Sequence, residues 1–194
     1  FYTTKYGSTW SSYSGAKTAY NAVASMTISG KNSLNEGKKT TLTVTAKPAS
    51  SSFGDIYSLT SSNISIATVS KDGLVTARKA GTVTITATSI NGTTGTLTIN
   101  VVPATPTKFT VKPKSTSSVE LRWKDSGATG YYIYRSTSKS GKYKKIDTVL
   151  TTSYTDKGLT KGKTYYYKVA AYVTSDGSKI KSANTSAKSV SVSS

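Results

Sequence analysis

Residues 81–102, GTVTITATSINGTTGTLTINVV, decide the fold class of this chain. Two runs of alternating apolar and threonine side chains flank the dipeptide Asn91-Gly92 in this segment. Their apolar members are Val83, Ile85 and Ala87 in the first run and Leu97, Ile99 and Val101 in the second. A period of two in residues with high strand propensity is typical of half-buried β-strands, and Asn-Gly is a turn signal. The segment therefore predicts strands with a turn between them.

The same alternation recurs along the rest of the chain. Further apolar or aromatic runs are Leu42, Val44 and Ala46, then Val119, Leu121 and Trp123, and then Tyr165, Tyr167, Val169, Ala171 and Val173. Turn signals separate the runs at Glu36-Gly37, Asp72-Gly73, Ser140-Gly141, Lys157-Gly158 and Asp176-Gly177. Many short strands at this spacing predict an all-β protein built from antiparallel sandwiches or barrels.

Two prolines, Pro103 and Pro106, interrupt the alternation. Proline cannot donate to a central ladder, so this stretch predicts a short, semi-rigid linker between two sandwiches that sit end to end. We therefore divide the chain into an N-terminal segment at 1–24, a first domain at 25–102 and a second domain at 103–194.

The N-terminal segment is rich in aromatic residues and fits neither domain. Only residues 15–24 have a spacing compatible with a short helix. One interpretation is the tail of a preceding domain or a linker; the other is an aromatic arm that docks on another subunit. In the second case the contact residues are Phe1, Tyr2, Tyr6, Trp10 and Tyr13.

Positive charge is concentrated in the second domain. The whole chain has a net charge of +18 from 26 basic and 8 acidic residues, of which the second domain carries +12 and the first domain +4. Only Arg78, Arg122 and Arg135 are arginines, so the charge consists mainly of hydrated lysine ammonium groups. Such a field attracts polyanions without choosing among them, so we expect nucleic acid to bind only non-specifically.

Catalytic chemistry has few candidate groups here. The chain has no His and no Cys, which excludes imidazole bases, thiolate nucleophiles, zinc sites made of these ligands, and disulfides. The acids Glu36, Asp72, Asp156 and Asp176 lie beside or within turn signals, where an acid usually bonds to nearby backbone. Calcium needs several clustered oxygen ligands, and no run here has more than one acid within five residues. We expect no enzyme activity, no metal site and no cofactor.

No stretch of the sequence approaches the roughly 20 apolar residues of a transmembrane helix, so we expect no membrane insertion. The first ten residues lack the apolar run of a secretory signal. Because the chain starts at Phe1 and not at Met, we expect a processed product, an excised fragment or part of a longer protein.

The first domain resembles the bacterial immunoglobulin-like domains of group 2. The most specific stretch is residues 58–88, with SSN at 61–63, GLVTA at 73–77 and AGT at 80–82. Leu59 stands where many members of that family have tryptophan, and we expect a buried aliphatic side chain to fill the same space.

The second domain resembles a fibronectin type III domain. Trp123 in SVELRW is similar to the buried tryptophan of strand B, and GYYIYRS at 130–136 to strand C. Leu159 followed by Tyr165 is similar to the tyrosine corner, whose hydroxyl bonds to backbone before strand F. Together the resemblances imply two tandem immunoglobulin-like antiparallel β-sandwiches. They imply architecture more than chemistry, because a fold does not supply a function.

One group of tyrosines is the candidate contact site. If Tyr131, Ile133, Tyr165 and Tyr167 face the core, as the resemblance implies, alternation turns their neighbours outward. An exposed patch that contacts glycan, protein or another subunit would then consist of Tyr132, Tyr134, Tyr166, Lys168 and Tyr172. The alternative is that these rings only pair across strands.

Three functions compete. The first is a non-catalytic adhesion or spacer module of a bacterial cell surface, extracellular, whose cationic second domain binds anionic wall polymer or glycan. The second is a structural protein on a phage virion surface, such as a head decoration or tail appendage, which the N-terminal arm anchors to another protein subunit. The third is a carbohydrate-binding accessory part of a secreted enzyme.

Overall fold

A computed structural model describes residues 3–6, 9–12, 22–47 and 57–192. Within these ranges the regular secondary structure consists of β-strands alone, which confirms the prediction of an all-β protein. The strands build two tandem sandwiches, also as predicted, with a small separate hairpin before them.

The hairpin consists of β1 (Thr3–Tyr6) and β2 (Thr9–Ser12), which pair antiparallel with Lys5 opposite Trp10. The predicted arm contacts fall outside the described residues for Phe1, Tyr2 and Tyr13, and outside the described side chains for Tyr6 and Trp10. Most of the stretch with helical spacing, up to residue 21, also lies outside the described residues.

Nine strands form the first sandwich. They are β3 (Ser25–Ser29), β4 (Ser33–Asn35), β5 (Lys39–Thr41), β6 (Thr43–Lys47), β7 (Tyr57–Ser61), β8 (Ala67–Val69), β9 (Leu74–Ala77), β10 (Gly81–Ser89) and β11 (Thr94–Val102). One sheet has the order β4-β11-β10-β7, and the other side consists of the pair β3-β6 and the sheet β5-β9-β8. All pairings are antiparallel except the short parallel contact between β4 and β11.

Alternation places the first core as the sequence predicts. Val83, Ile85 and Ile99 are at most 1% exposed, while the threonines between them face outward. Val23 also belongs to this core, and its carbonyl oxygen accepts hydrogen bonds from Asn91 and Thr93. Leu59 lies on the edge strand β7 and packs against this core, but it is half-buried and not fully buried as expected.

Eight strands form the second sandwich. They are β12 (Thr107–Ser115), β13 (Ser118–Lys124), β14 (Gly130–Ser136), β15 (Lys144–Val149), β16 (Ser153–Asp156), β17 (Thr164–Ser175), β18 (Ser178–Lys181) and β19 (Lys188–Ser191). A sheet in the order β12-β13-β16 packs on a sheet in the order β15-β14-β17-β18, and β19 pairs with the start of β17.

The two family signatures of the second sandwich are in place. Trp123 is 6% exposed and packs edge-to-face on Tyr131, with ring centroids 5.2 Å apart. The hydroxyl of Tyr165 accepts the backbone N–H of Thr160 at 3.0 Å, beside the buried Leu159. This bond ties the turn before β17 to the strand, as the tyrosine corner implies.

Asp156 joins the two sheets of the second sandwich. This residue is 4% exposed at the end of β16, and its Oδ2 accepts hydrogen bonds from Arg135 of β14 at 2.9 Å and from the Tyr167 hydroxyl of β17 at 2.8 Å. Burial and the bond to Asp156 raise the pKa of Tyr167 well above its usual range, so the phenol stays a donor. The prediction that Asp156 only satisfies local backbone is therefore wrong.

The two sandwiches touch at the linker. The backbone N–H of Thr82 on β10 donates to Oγ of Ser175 at 3.0 Å.

Ser175 ends β17 before the two-residue turn Asp176-Gly177, in which both residues have positive φ, 48° and 73°. Positive φ at both central residues is the geometry that Asp-Gly favours in tight hairpins, so this predicted turn forms as its sequence indicates.

Replacing Tyr167 by Phe should lower the free energy of unfolding of the second domain by about 1.5–3 kcal/mol, because a hydrogen bond to a buried carboxylate is lost. The matched control is Tyr166→Phe, one residue away on the same strand and facing outward, which should stay within about 0.5 kcal/mol of the parent. Urea unfolding followed by Trp123 fluorescence, in a background with Trp10→Phe, measures both. Equal stability of the two variants would contradict the role assigned to Asp156.

Candidate functional site

The outer face of the sheet β15-β14-β17-β18 carries the candidate contact residues. Tyr131 and Ile133 on β14 and Tyr165 and Tyr167 on β17 are buried in the core. Their neighbours therefore project from the opposite side of the sheet. Cross-strand register then sets the pairs on this side: Tyr134 lies opposite Lys168, Ser136 opposite Tyr166, and Gly130 opposite Tyr172.

Tyr172 differs from the expectation of an exposed side chain, because it is only 4% exposed. Its ring stacks on Tyr132 at a centroid distance of 4.7 Å and an interplanar angle of 22°. Gly130 leaves the room for this arrangement, since a Cβ there would lie 2.7 Å from the Tyr172 hydroxyl oxygen. Tyr132, Tyr134 and Tyr166 are half-buried, so the outer face is a packed surface of rings.

Four lysines lie over these rings. Lys145 Nζ is 4.9 Å from the ring centroid of Tyr132, and Lys179 Nζ is 4.7 Å from that of Tyr172. The corresponding distances are 5.3 Å from Lys181 to Tyr134 and 4.1 Å from Lys168 to Tyr143. All four fall within the roughly 6 Å at which a cation is attracted to the ring quadrupole.

We call this surface the tyrosine–lysine face, and it consists of Tyr132, Tyr134, Tyr143, Tyr166, Tyr172, Lys145, Lys168, Lys179 and Lys181. The sequence argument found five of these residues and missed Tyr143, Lys145, Lys179 and Lys181. Two of them could have been found from the sequence. Lys179 and Lys181 flank the buried Ile180 on β18, so alternation places both lysines on the outer face of the sheet.

Two phenols of this face, those of Tyr134 and Tyr143, have a raised pKa. Burial raises the pKa of Tyr134. Burial, and then the neighbouring Tyr166, raise the pKa of Tyr143. A neutral ring over which an ammonium lies attracts the cation without cancelling its charge.

No acid pairs with the lysines of the face within the described residues. The ion pairs found there join Glu120 to Lys114 and Arg122, and Asp156 to Arg135, and all lie away from this surface. Asp147 of β15 is directed toward the other sheet, where it contributes, after burial and Asp156, to the raised pKa of Tyr154. The face therefore presents four positive charges that no carboxylate neutralises.

A shallow pocket of about 240 Å³ lies beside this face at the end of β14. It is lined by Arg135, Ser136, Thr137, Lys142, Lys144 and Ile146. The side chain of Arg135 is already bound to Asp156, so Lys142 and Lys144 are the cations of this pocket that have no acid partner within the described residues.

Among the described residues, no three His, Cys, Asp or Glu side chains lie close enough together to hold a metal ion. The same ranges contain no helix with the length and apolar character that a membrane crossing requires.

Comparison with known proteins finds relatives that match parts of this chain. A stretch of 63 residues is 41% identical to an amylopullulanase from Thermoanaerobacterium saccharolyticum, which corresponds to 31% of this chain and 5% of that protein. Among solved structures, a Fn3-like protein from Clostridium thermocellum is 36% identical and covers 43% of this chain and 88% of its own, with a TM-score of 0.37. The protein FN3tt is 25% identical over 47% of this chain and 98% of its own, with a TM-score of 0.40.

The two domain families are matched directly. Residues 22–101 match the bacterial Ig-like domain (group 2), and residues 104–188 match the fibronectin type III domain. Both domain types are typical of extracellular bacterial proteins. The chain therefore contains two domains in tandem, a bacterial Ig-like domain of group 2 at residues 22–101 followed by a fibronectin type III domain at residues 104–188.

Proposed function

We propose that this chain is a non-catalytic module of an extracellular bacterial protein, and that its fibronectin type III domain binds an anionic polymer of the cell envelope. The domain types support the first half of the proposal, since both occur in surface and accessory modules. The distribution of unneutralised charge supports the second half.

The observation that carries the proposal is the excess of lysine without acid partners in the second domain. Of the 17 basic residues at 103–194, only Lys114, Arg122 and Arg135 lie within 4.0 Å of a carboxylate oxygen in the described part of the chain. The other 14 basic residues are lysines whose charge no carboxylate offsets within that distance in the described part of the chain. A field of this kind raises the local concentration of polyanions and speeds their association.

The Ig-like domain has a different surface. Its four-stranded sheet presents threonines outward from β10 and β11, and some of them bond to each other or to Asn100. This surface carries no comparable charge, and the net charge of the domain is +4. The first domain therefore suits a spacer that sets the second domain at a distance from its attachment point.

A second candidate function is an accessory module of a carbohydrate-active enzyme, which the similarity to part of an amylopullulanase favours. In that case the ligand would be a neutral glucan, held by hydrogen bonds and ring stacking. The phage virion interpretation stays a prediction, because the side chains of its N-terminal arm lie outside the described residues.

We expect the full chain to bind poly(glycerol phosphate) immobilised on a column or sensor, with an affinity that falls steeply between 50 and 200 mM salt. Screening is the reason, since the Debye length shortens to about 10 Å at 0.1 M and exposed charges lose their attraction. Salt titration of the dissociation constant is the measurement. Absence of binding at 50 mM salt, or binding that salt does not weaken, would overturn the proposal.

The same chain should run unretarded through a gel that contains pullulan or soluble starch, because a neutral glucan has no negative charge to attract the ammonium groups. Affinity electrophoresis against a gel without polysaccharide makes the comparison. Retardation by the neutral glucan, together with indifference to poly(glycerol phosphate), would replace the proposal by the enzyme-accessory function.

A further inference from the structure

We propose that the tyrosine–lysine face is the site at which the polymer binds, and that it takes a flexible chain of repeated phosphodiester charges in preference to a neutral sugar or a single anion. This inference rests on the proposed function and gives it a location and a ligand chemistry. Four observations carry it: the occupied ring faces, the ordered ammonium groups, their spacing across the sheet and the use of lysine.

The first observation is that the rings have little free face to offer a sugar. Tyr132 and Tyr172 stack on each other, and a lysine ammonium lies over each of them, Lys145 and Lys179 respectively. A ring has two faces, and a sugar needs one of them bare in order to stack. Lysines also lie over Tyr134 and Tyr143. We infer that the rings act as supports for cations, in place of the direct contact with a glycan that the sequence led us to expect.

The second observation is that the rings hold the ammonium groups without neutralising them. A free lysine side chain loses up to about 1.5–2 kcal/mol of rotamer entropy when it is fixed in one place. Contact with a ring restricts the lysine before any ligand arrives, so less of that entropy is lost on binding. A carboxylate would restrict the lysine as well, as Glu120 does for Lys114, but it would compete with the ligand for the charge.

The third observation is the spacing of the charges. Lys145 lies on β15 and Lys179 on β18, the two outer strands of the four-strand order. Their ammonium groups lie over Tyr132 and Tyr172, and these rings cover each other's inner faces with centroids 4.7 Å apart, so the two charges lie on the two outer sides of the stack. A single phosphate group cannot contact both ammonium groups across two stacked rings. Lys168 lies on β17, between these two strands, and Lys181 lies on β18 beside Lys179. A ligand that engages all four must be a chain that crosses the strands.

The fourth observation is that all four cations are lysines. Arginine presents a planar fork that matches the two oxygens of a carboxylate, whereas the lysine ammonium acts as a compact point charge and is a common phosphate ligand. A phosphodiester carries one delocalised charge per repeat, which a point charge can meet from many directions. The face therefore suits a flexible polymer, which can bind in many conformations, better than a ligand of fixed shape.

The decisive variant removes the four charges of the face in the full chain: K145Q, K168Q, K179Q and K181Q together. The matched control removes four lysines of the same domain that lie off the face, K112Q, K124Q, K157Q and K161Q, so that the net charge falls equally. All four control residues are exposed and belong to no ion pair within the described residues. Thermal unfolding of each variant checks that both domains stay folded.

We expect the face variant to bind poly(glycerol phosphate) about 30-fold more weakly at 50 mM salt. The slope of log affinity against log salt concentration should also decrease in magnitude by about 2 to 3, because each lost phosphate contact removes about 0.7 from it. The control should lose no more than about threefold. Equal losses in the two variants would overturn the location while leaving the proposed function intact. Failure of the parent chain to bind the polymer would overturn both.

The role of the rings has its own test at Tyr134, a positioning residue. Tyr134→Phe keeps the ring under Lys181 and should keep the affinity within twofold, whereas Tyr134→Leu removes the ring and should weaken binding severalfold. If Phe weakens binding as much as Leu, the hydroxyl contacts the ligand and the support role is wrong.

Ligand selectivity completes the test on the parent chain. Inorganic phosphate at millimolar concentration should compete poorly with the polymer, because it occupies one ammonium at a time. Effective competition by phosphate would overturn the requirement for a chain. Tighter binding of oligo(dT) than of poly(glycerol phosphate) with the same number of charges would overturn the assignment to an envelope polymer.

Discussion

The carboxylate of Asp156 binds the two central strands, β14 and β17, of the sheet that carries the tyrosine–lysine face. By accepting from Arg135 on β14 and Tyr167 on β17, it draws those two side chains toward the opposite sheet. In a strand the next residue must then point the other way, so Tyr134 and Tyr166 turn outward. A slip of one residue would leave a buried carboxylate without partners and would exchange the two faces. The two inter-sheet bonds of Asp156, together with the buried Tyr131, Ile133 and Val169, thus fix which set of side chains the domain presents to its surroundings.

Sequence reasoning identified the strands because they follow from a local period of two. The choice of which residues of β14 and β17 face inward, and the roles of Trp123 and Tyr165, came from the resemblance to a fibronectin type III domain. The partners across the sheet were harder, because β15 and β18 meet the central strands through long-range register. A register shift between Ile133 and Tyr134 on β14 changes which residues of β15 lie opposite, and no local pattern announces it.

Two misjudged residues show the same limit in physical terms. Asp156 stands next to Lys157-Gly158 in the sequence, and adjacency to a turn predicted a local role, yet the strand continues far enough to bury its side chain. Tyr172 does lie on the outer face, but Gly130 opposite it and the ring of Tyr132 close over it. The face to which a side chain points follows from the alternation of residues along its strand. Its exposure depends on the size of the side chains that lie opposite it on neighbouring strands.

A surface of four lysines without acids should repel itself, and the tyrosines offset this repulsion. An exposed cation–π contact contributes about 0.5–1 kcal/mol, much the same as an exposed ion pair. The consequence for charge is opposite, since an ion pair removes a positive charge from the surface and a ring leaves it in place. The domain can therefore carry a net charge of +12 on a folded sheet while keeping its ammonium groups available. Carboxylate partners would have served stability equally well, so the choice of rings is the feature that connects this packing with the proposed binding of an external anion.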